Sequence, residues 1–176
     1  MKKTIFVLTI LLVIAFSASA YARNEDVRQA SAVLKDTNGK EVGLARFTED
    51  ESGLVRVEVN VEGLSPGLHG IHIHEVGSCS PTFAAAGGHY NPLGKKHGLS
   101  NPEGPHAGDL PNMGVNKDGK GYLNTTTDLA TLSPGPTTLF DQDGSAIVIH
   151  SGPDDQISDP SGNSGDRVVC GVIKAE

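Results

Sequence analysis

The sequence contains no tryptophan, only two cysteines and few aromatic residues, which make up 5% of its 176 residues. Basic residues are also scarce, since 14 lysines and arginines face 21 acidic residues and leave a formal net charge of −7. Proteins that bind nucleic acid neutralise phosphates with clustered lysine and arginine, so this balance argues against a nucleic-acid partner. No apolar run reaches the roughly 20 residues of a transmembrane helix, and we expect no membrane span. The length suffices for one domain.

The N-terminus has the pattern of a secretory signal peptide. Lys2 and Lys3 precede an apolar run at 5–16, and small residues follow at 17–22. We predict a signal peptide in residues 1–22, cleaved after residue 20 or 22, and one mature domain in residues 23–176. A buried N-terminal helix is the alternative. Cleavage removes the two lysines, lowers the formal net charge from −7 to −9, and places the protein in the periplasm or the extracellular space.

The two cysteines, Cys79 and Cys170, allow a single intrachain pairing. Disulfides persist in the oxidising compartment that a signal peptide implies, so we predict a disulfide between them. The alternative, a redox-active pair, lacks the close Cys-x-x-Cys spacing of such sites.

Strand patterns dominate the remaining sequence. Residues 54–62 alternate valine with polar residues, which is typical of a half-buried strand. The segments 29–34 and 41–47 flank Thr37-Asn38-Gly39, a hairpin turn signal. Further strands are predicted at 70–75, 119–125, 145–150 and 167–173. No segment has a convincing helical period, and we predict an all-β fold, an antiparallel Greek-key β-sandwich or flattened barrel.

Two long loops interrupt the strand pattern, at 77–112 and at 151–166. In the first, 12 of 36 residues are glycine or proline. A loop of that length is uncommon in a compact domain unless it is functional or held by other bonds. Because this loop carries three histidines and Cys79, we expect it to be ordered by bonds of its own.

All seven histidines lie between His69 and His150, which makes a metal site the first hypothesis. In a strand, His72 and His74 point to the same face and can bind one metal ion together. His150 ends another predicted strand, and it would approach the pair if the two strands are neighbours. By itself a His-x-His pair is weak evidence, and a surface pair is the alternative. His69 has the opposite parity, so we interpret it as a structural histidine.

The long loop supplies a second ligand set. Three imidazoles and one carboxylate, from His89, His97, His106 and Asp109, satisfy tetrahedral zinc completely. A hydrolytic zinc site would leave one position open for water. A closed zinc beside an imidazole-rich site suggests two metals, and imidazole-rich square-planar surroundings suit copper.

Four segments carry a resemblance to a known family. They are Gly-Leu-His-Gly-Ile-His-Ile-His-Glu at 67–75, Gly-His-Tyr-Asn-Pro at 88–92, His-Ala-Gly-Asp-Leu at 106–110 and the glycine-rich stretch with Arg167 and Cys170 at 162–173. In this order they resemble copper/zinc superoxide dismutase, and the resemblance covers nearly all of residues 29–173.

The resemblance implies disproportionation of superoxide to dioxygen and hydrogen peroxide, with a redox-cycling copper and an adjacent structural zinc. It implies copper ligands at His72, His74, His89 and His150, and zinc ligands at His89, His97, His106 and Asp109. His89 then bridges both metals and, with Arg167, serves catalysis. Asp154 matches a carboxylate that links ligands of the two metals, with a turn residue as the alternative. Arg167 matches the arginine that attracts and orients superoxide, with an exposed pair to Asp166 as the alternative.

Two points of function stay open at this stage. A secreted carrier of the same fold that binds copper and zinc without dismutase activity is the alternative to the enzyme, and the sequence does not choose between a monomer and a homodimer. The chain also departs from the eukaryotic pattern, because residues 121–166 contain seven aspartates and no lysine or arginine. Pro160 stands where a substrate-steering lysine is common, and Lys95 or Lys96 is the candidate replacement.

Overall fold

The alternation at 54–62 forms strand β3 (Val55–Glu62) in the computed structural model, which describes residues 28–176. Its four valines, at 55, 57, 59 and 61, are buried, and three of the four polar residues that alternate with them are exposed. Burying a side chain of this size contributes about 1.5–3 kcal/mol, so this strand fixes one wall of the core.

Nine further strands and one short 3₁₀ helix complete the described part of the chain. The strands are β1 (Arg28–Asp36), β2 (Glu41–Glu49), β4 (Gly67–His69), β5 (Ile71–His74), β6 (Met113–Val115), β7 (Lys120–Thr127), β8 (Ala146–His150), β9 (Arg167–Val172) and β10 (Lys174–Ala175), and the 3₁₀ helix is Phe83–Ala86. The all-β prediction is confirmed. None of the helical segments in residues 28–176 has the length and apolar character that a membrane crossing requires.

The predicted hairpin joins β1 to β2. Gly39 has a positive φ of 80°, which suits glycine at this turn position. The carboxylate of Asp36 accepts the backbone N–H groups of Asn38 and Lys40 at 2.8 and 2.9 Å. The turn thereby sets the register in which Val33 lies opposite Leu44.

The sheet is antiparallel and almost closed. Its strand order is β4-β6-β7-β3-β2-β1-β9-β8-β5. The chain passes from β3 to β4 across positions that β6 and β7 later fill, which is a Greek-key connection. Because β4 and β5 are joined only by Gly70, the two ends of the strand order meet at that residue and the sheet forms a barrel.

Some details differ from the sequence prediction. The strand expected at 70–75 is β5, which covers only Ile71–His74, and Gly70 separates it from β4, which was not predicted. The short strands β6 and β10 and the 3₁₀ helix were not predicted, because three or fewer strand residues show no measurable alternation. The predicted signal peptide, residues 1–22, lies outside the described residues.

The long loop is docked on the free edge of β5. The backbone of Ile73 bonds to two parts of this loop. Its N–H donates to the carbonyl of Gly108 at 2.8 Å, and its carbonyl accepts the N–H of Tyr90 at 2.9 Å. The predicted disulfide between Cys79 and Cys170 is formed and ties the same loop to β9. These backbone bonds and the disulfide thus attach the loop that carries His89, His97 and His106 to two strands of the barrel.

Candidate metal centre

Four buried histidines converge beside strand β5. We call them the four-histidine cluster: His72, His74, His89 and His150. Two lie on β5, one lies at the end of the adjacent strand β8, and one comes from the docked loop. One potential ligand atom from each lies within 4.8 Å of all the others. Pairing of β5 with β8 thus joins residues that are about 80 positions apart in the sequence.

Each histidine of this cluster has one buried ring nitrogen without a hydrogen-bond partner among the described residues. These atoms are His72 Nδ1, His74 Nε2, His89 Nε2 and His150 Nε2. A buried polar atom without a partner is costly, and four of them pointing into one small volume indicate a binding site for a cation. Imidazole nitrogens suit copper, so the residues fit that ion.

The second ring nitrogen of each histidine is held by an oxygen. His72 Nε2 lies 2.6 Å from Asp154 Oδ2, and His89 Nδ1 lies 2.9 Å from Asp109 Oδ1. Backbone carbonyls hold the other two rings, Gly87 for His74 and Gly165 for His150, each at 3.1 Å. Bonds of this kind fix the tautomer and the orientation of a metal-binding imidazole.

A second group adjoins the first and shares His89 with it. We call it the loop cluster: His89, His97, His106 and Asp109. The Nδ1 atoms of His97 and His106 lie 3.0 and 3.5 Å from Asp109 Oδ1. Three imidazoles and a carboxylate in this arrangement match the ligand set of a closed zinc site. His89 faces the two clusters with different nitrogens, Nδ1 here and Nε2 in the other.

Burial favours the neutral form of three imidazoles in the four-histidine cluster, those of His72, His74 and His150. Burial lowers the pKa of His72 to about 3, although its hydrogen bond to Asp154 acts in the opposite direction. Burial likewise lowers the pKa of His74 to about 2 and that of His150 to about 4. At neutral pH these rings therefore keep a lone pair available for a metal.

In the loop cluster the shifts differ from ring to ring, since burial lowers the pKa of His106 while the pKa of His97 is raised. Burial acts to lower the pKa of His97, but its hydrogen bonds to Asp109 and Asp154 outweigh this and raise the pKa to about 9. Burial would raise the pKa of Asp109, yet its bonds to His89 and His97 hold that pKa far below the usual range. In the metal-free site the ionised carboxylate of Asp109 is thus balanced by the protonated ring of His97, and a divalent cation would take the place of that proton.

Asp154 connects the two clusters. Its two carboxylate oxygens contact His72 Nε2 at 2.6 Å and His97 Nε2 at 3.1 Å. Asn112 fixes its backbone, since the side-chain amide of Asn112 bonds to both the N–H and the carbonyl of Asp154 at 2.8 Å. Gly162, at a φ of 61°, packs so closely that a Cβ there would overlap the Asp154 carboxylate.

Arg167 is held by the docked loop rather than by Asp166. Its guanidinium donates to the carbonyl of Phe83 at 2.7 Å and to that of Gly87 at 2.6 Å. Gly87 also accepts from His74, so one carbonyl connects the arginine to the four-histidine cluster. Both acceptors are neutral, and the positive charge of Arg167 is left uncompensated by them.

His69 lies outside both clusters. Its ring nitrogens contact the carbonyls of Ser65 at 2.8 Å and His150 at 2.6 Å, in keeping with a structural interpretation. The roles of Asn112 and of the Phe83 and Gly87 carbonyls were missed by the sequence reasoning. Asn112 has no motif of its own, and a carbonyl has no sequence signal at all.

The fold and the site together define a class: a Greek-key β-barrel with two adjoining metal clusters that share one histidine. Residues 41–173 match the family model described as copper/zinc superoxide dismutase. The chain is 48% identical over 149 residues to superoxide dismutase [Cu-Zn] 2 of Aquifex aeolicus, covering 83% of this chain and 86% of that protein. It is 41% identical over 149 residues to superoxide dismutase [Cu-Zn] of Caulobacter vibrioides, covering 82% and 85%.

Solved structures agree with this assignment. The crystal structure of a SOD-like protein from Bacillus subtilis, in a double mutant with a tyrosine and a proline changed to histidine, superposes with a TM-score of 0.77. It is 44% identical, and the alignment covers 81% of this chain and 95% of that one. The chain belongs to the copper/zinc superoxide dismutase family. It is an oxidoreductase that acts on superoxide, with copper and zinc as cofactors.

Proposed function

We propose that the four-histidine cluster binds the copper, that the loop cluster binds the zinc, and that Arg167 and His89 serve the dismutation of superoxide. The observation that carries this proposal is the set of four unpartnered ring nitrogens, one from each member of the four-histidine cluster. A carrier without dismutase activity would need no cation beside the copper. The position of Arg167 on the same cavity therefore favours the enzyme.

When bound, copper supplies the one-electron oxidation and reduction of superoxide, and zinc supplies a fixed positive charge. The protein supplies the protons and the geometry. Forming hydrogen peroxide consumes two protons. Whenever it is not bound to copper, His89 Nε2 is the nitrogen that would hold and deliver one of them, because no protein group occupies it. Asp109 holds the opposite nitrogen of this ring and so aims Nε2 at the cavity.

Arg167 binds and orients the anionic substrate in this proposal. It lines the same cavity of about 570 Å³ as His74, His89 and His150. The two carbonyl bonds hold the guanidinium plane in place before substrate arrives, so little reorganisation is needed on binding.

We also propose export through a cleaved signal peptide in residues 1–22, which leaves residues 23–176 as the mature domain in the periplasm or the extracellular space. The Cys79–Cys170 disulfide and the bacterial relatives are consistent with an extracytoplasmic location. N-terminal sequencing of the exported protein tests the cleavage site, and sedimentation tests whether it is a monomer or a homodimer.

The decisive experiment combines metal analysis with a superoxide assay on the purified mature chain. We expect one copper and one zinc per chain together with dismutase activity. One copper and one zinc without activity would contradict the enzyme and leave a carrier. Replacing His150 by glutamine should lower copper content while zinc is retained, because His150 belongs only to the four-histidine cluster.

A further inference from the structure

The cavity that leads to the four-histidine cluster must draw in a small anion although the protein as a whole is acidic. Its lining contains only two positively charged side chains among the described residues, Lys95 and Arg167, and two carboxylates, Glu75 and Asp159. Steering then depends on which of these charges is free and which is neutralised at short range.

Lys96 neutralises one of the two carboxylates. Its ammonium lies 3.0 Å from Asp159 Oδ2, and the other oxygen of Asp159 accepts the N–H of His97 at 2.9 Å. This ion pair joins the docked loop to the loop at 151–166. The ammonium of Lys96 is therefore engaged in this ion pair, and Lys96 does not line the cavity.

Lys95 is in the opposite situation. Its side chain is exposed, lines the cavity and has no ion-pair partner within 4 Å among residues 28–176. Its backbone is nevertheless fixed, because the side-chain amide of Asn91 accepts from the Lys95 N–H and donates to the Lys95 carbonyl, both at 2.9 Å. The base of the side chain is therefore held at the cavity wall while the charge stays free.

We infer that Lys95 is the substrate-attracting cation of this enzyme, which draws superoxide into the cavity and passes it to Arg167. The inference rests on the proposed position of copper at the four-histidine cluster. It explains how a chain with no lysine or arginine from 121 to 166 supplies positive charge at the cavity. Lys95 attracts the anion on approach and takes no part in electron or proton transfer.

The test compares variants in the metal-loaded enzyme. We expect Lys95→Gln to lower kcat/KM for superoxide about 2- to 5-fold at roughly 10 mM ionic strength, and Lys95→Glu to lower it by about the square of that factor. Lys95→Arg should restore the rate. The differences should shrink at about 0.15 M salt, where the Debye length falls to about 8 Å. Lys117→Gln, an equal charge change at an exposed turn, should have no effect.

A second readout does not use turnover. The dissociation constant for azide, a small monoanion, can be followed from the visible absorption of the copper. At low ionic strength azide should bind most tightly to the wild type, less tightly to Lys95→Gln and least tightly to Lys95→Glu. A merely structural role would not produce an order set by charge, nor one that salt removes.

The outcomes distinguish a failure of this inference from a failure of the proposed function. If Lys95→Gln and Lys117→Gln have the same kcat/KM and azide affinity while the wild type is active, the inference is wrong. If Lys96→Gln reproduces the salt-dependent loss and Lys95→Gln does not, the attracting cation is Lys96 and the inference is again wrong. An inactive wild type loaded with copper and zinc would instead contradict the proposed function.

Discussion

The Nε2 atom of His72 lies 2.6 Å from Oδ2 of Asp154, and neither side chain has any solvent-exposed surface. Asp154 contacts His97 with its other oxygen at 3.1 Å, so a single carboxylate orients one histidine of each cluster. The two clusters are therefore coupled through Asp154 as well as through the shared His89. A buried carboxylate with these partners stays ionised, and the same bonds hold the pKa of Asp154 well below its usual range although burial opposes them.

Replacing Asp154 by asparagine tests this coupling. The side-chain oxygen of an asparagine can accept from only one of the two rings. Its NH₂ group would face the N–H of the other ring, so two donors would oppose each other. We expect zinc affinity to fall about 10- to 100-fold, as is typical when a partner of a metal-binding histidine is removed. Competition with a chromophoric chelator measures the zinc affinity.

The matched control is Asp143→Asn, an equal charge change at an exposed position. That variant should bind zinc as the wild type does. If the Asp154 variant retains wild-type zinc affinity, the carboxylate is only a turn residue, as its position after Gly152-Pro153 also allows.

Much of this site follows from local pattern. Strand parity places His72 and His74 on one face, and the loop composition brings a complete zinc set within 21 residues of sequence, 89–109. The approach of His150 to this pair is a reasonable expectation that sequence alone leaves open, because it depends on which strand lies next to β5. Local sequence does not specify strand order.

The hydrogen bonds of Arg167 show why the remaining contacts of the site could not be predicted from the sequence. A neighbouring Asp166 made an exposed ion pair the natural expectation from sequence alone. The arginine instead bonds the carbonyls of Phe83 and Gly87, 80 or more residues away. Any residue type provides a carbonyl, so only the path of the docked loop determines this contact. The division of β4 from β5 at Gly70 has a similar origin, since it reflects closure of the barrel.

Reducing the disulfide should affect stability strongly. Cys79 and Cys170 are 91 residues apart, and a closure of that length contributes on the order of 4–5 kcal/mol in the chain-entropy model. We expect the urea midpoint of the metal-free protein to fall markedly when dithiothreitol is added. The Cys79→Ser, Cys170→Ser double variant should already show the lower midpoint and should not respond to dithiothreitol. A wild-type midpoint that the reductant leaves unchanged would contradict this contribution.

The stability of the metal-free protein should depend on pH with a definite sign. Burial lowers the pKa values of His72 and His150 to about 3 and 4, so the unfolded chain takes up protons first as pH falls. Their contribution is present above about pH 6.5, the ordinary histidine value, and is lost as pH falls towards 4. His97, with its pKa raised to about 9 by two carboxylates despite burial, contributes in the opposite sense, and its contribution is lost as pH rises towards 9.

Thermal unfolding in the presence of a chelator measures this profile. We expect the Tm to be highest between about pH 7 and 8 and to fall clearly by about pH 4.5, because the lowered pKa values of His72, His74 and His150 act together there. The metal-loaded protein should lose its metals over the same acidic range, since protons compete for the ligand nitrogens. A Tm of the metal-free protein that does not change across this range would contradict the neutral state assigned to His72 and His150.

Arg167 should dominate the interaction with the anionic substrate. Removing the guanidinium in Arg167→Ala takes away the positive charge nearest His74, and we expect kcat/KM to fall about 10-fold or more at low ionic strength. Arg167→Lys should recover only part of it, because an ammonium cannot bond both the Phe83 and Gly87 carbonyls in the planar geometry of a guanidinium. Pulse radiolysis measures the rate, and an unchanged rate in Arg167→Ala would refute the role.

Glu75 provides a test of the opposite sign. It lines the cavity, and its Oε1 accepts the N–H of Gly88 at 2.8 Å. Glutamine keeps that acceptor and removes the negative charge, so Glu75→Gln should raise kcat/KM about 2-fold at low ionic strength and have little effect at high salt. Glu58→Gln, an equal charge change on β3 of the barrel wall, should not raise kcat/KM. Because one variant raises the rate and Lys95→Gln lowers it, a nonspecific loss of folding cannot produce both results. A reduced rate in Glu75→Gln, measured with full copper and zinc content, would contradict this prediction. The carboxylate would then stabilise the Gly88 turn and would not oppose the approach of the anion.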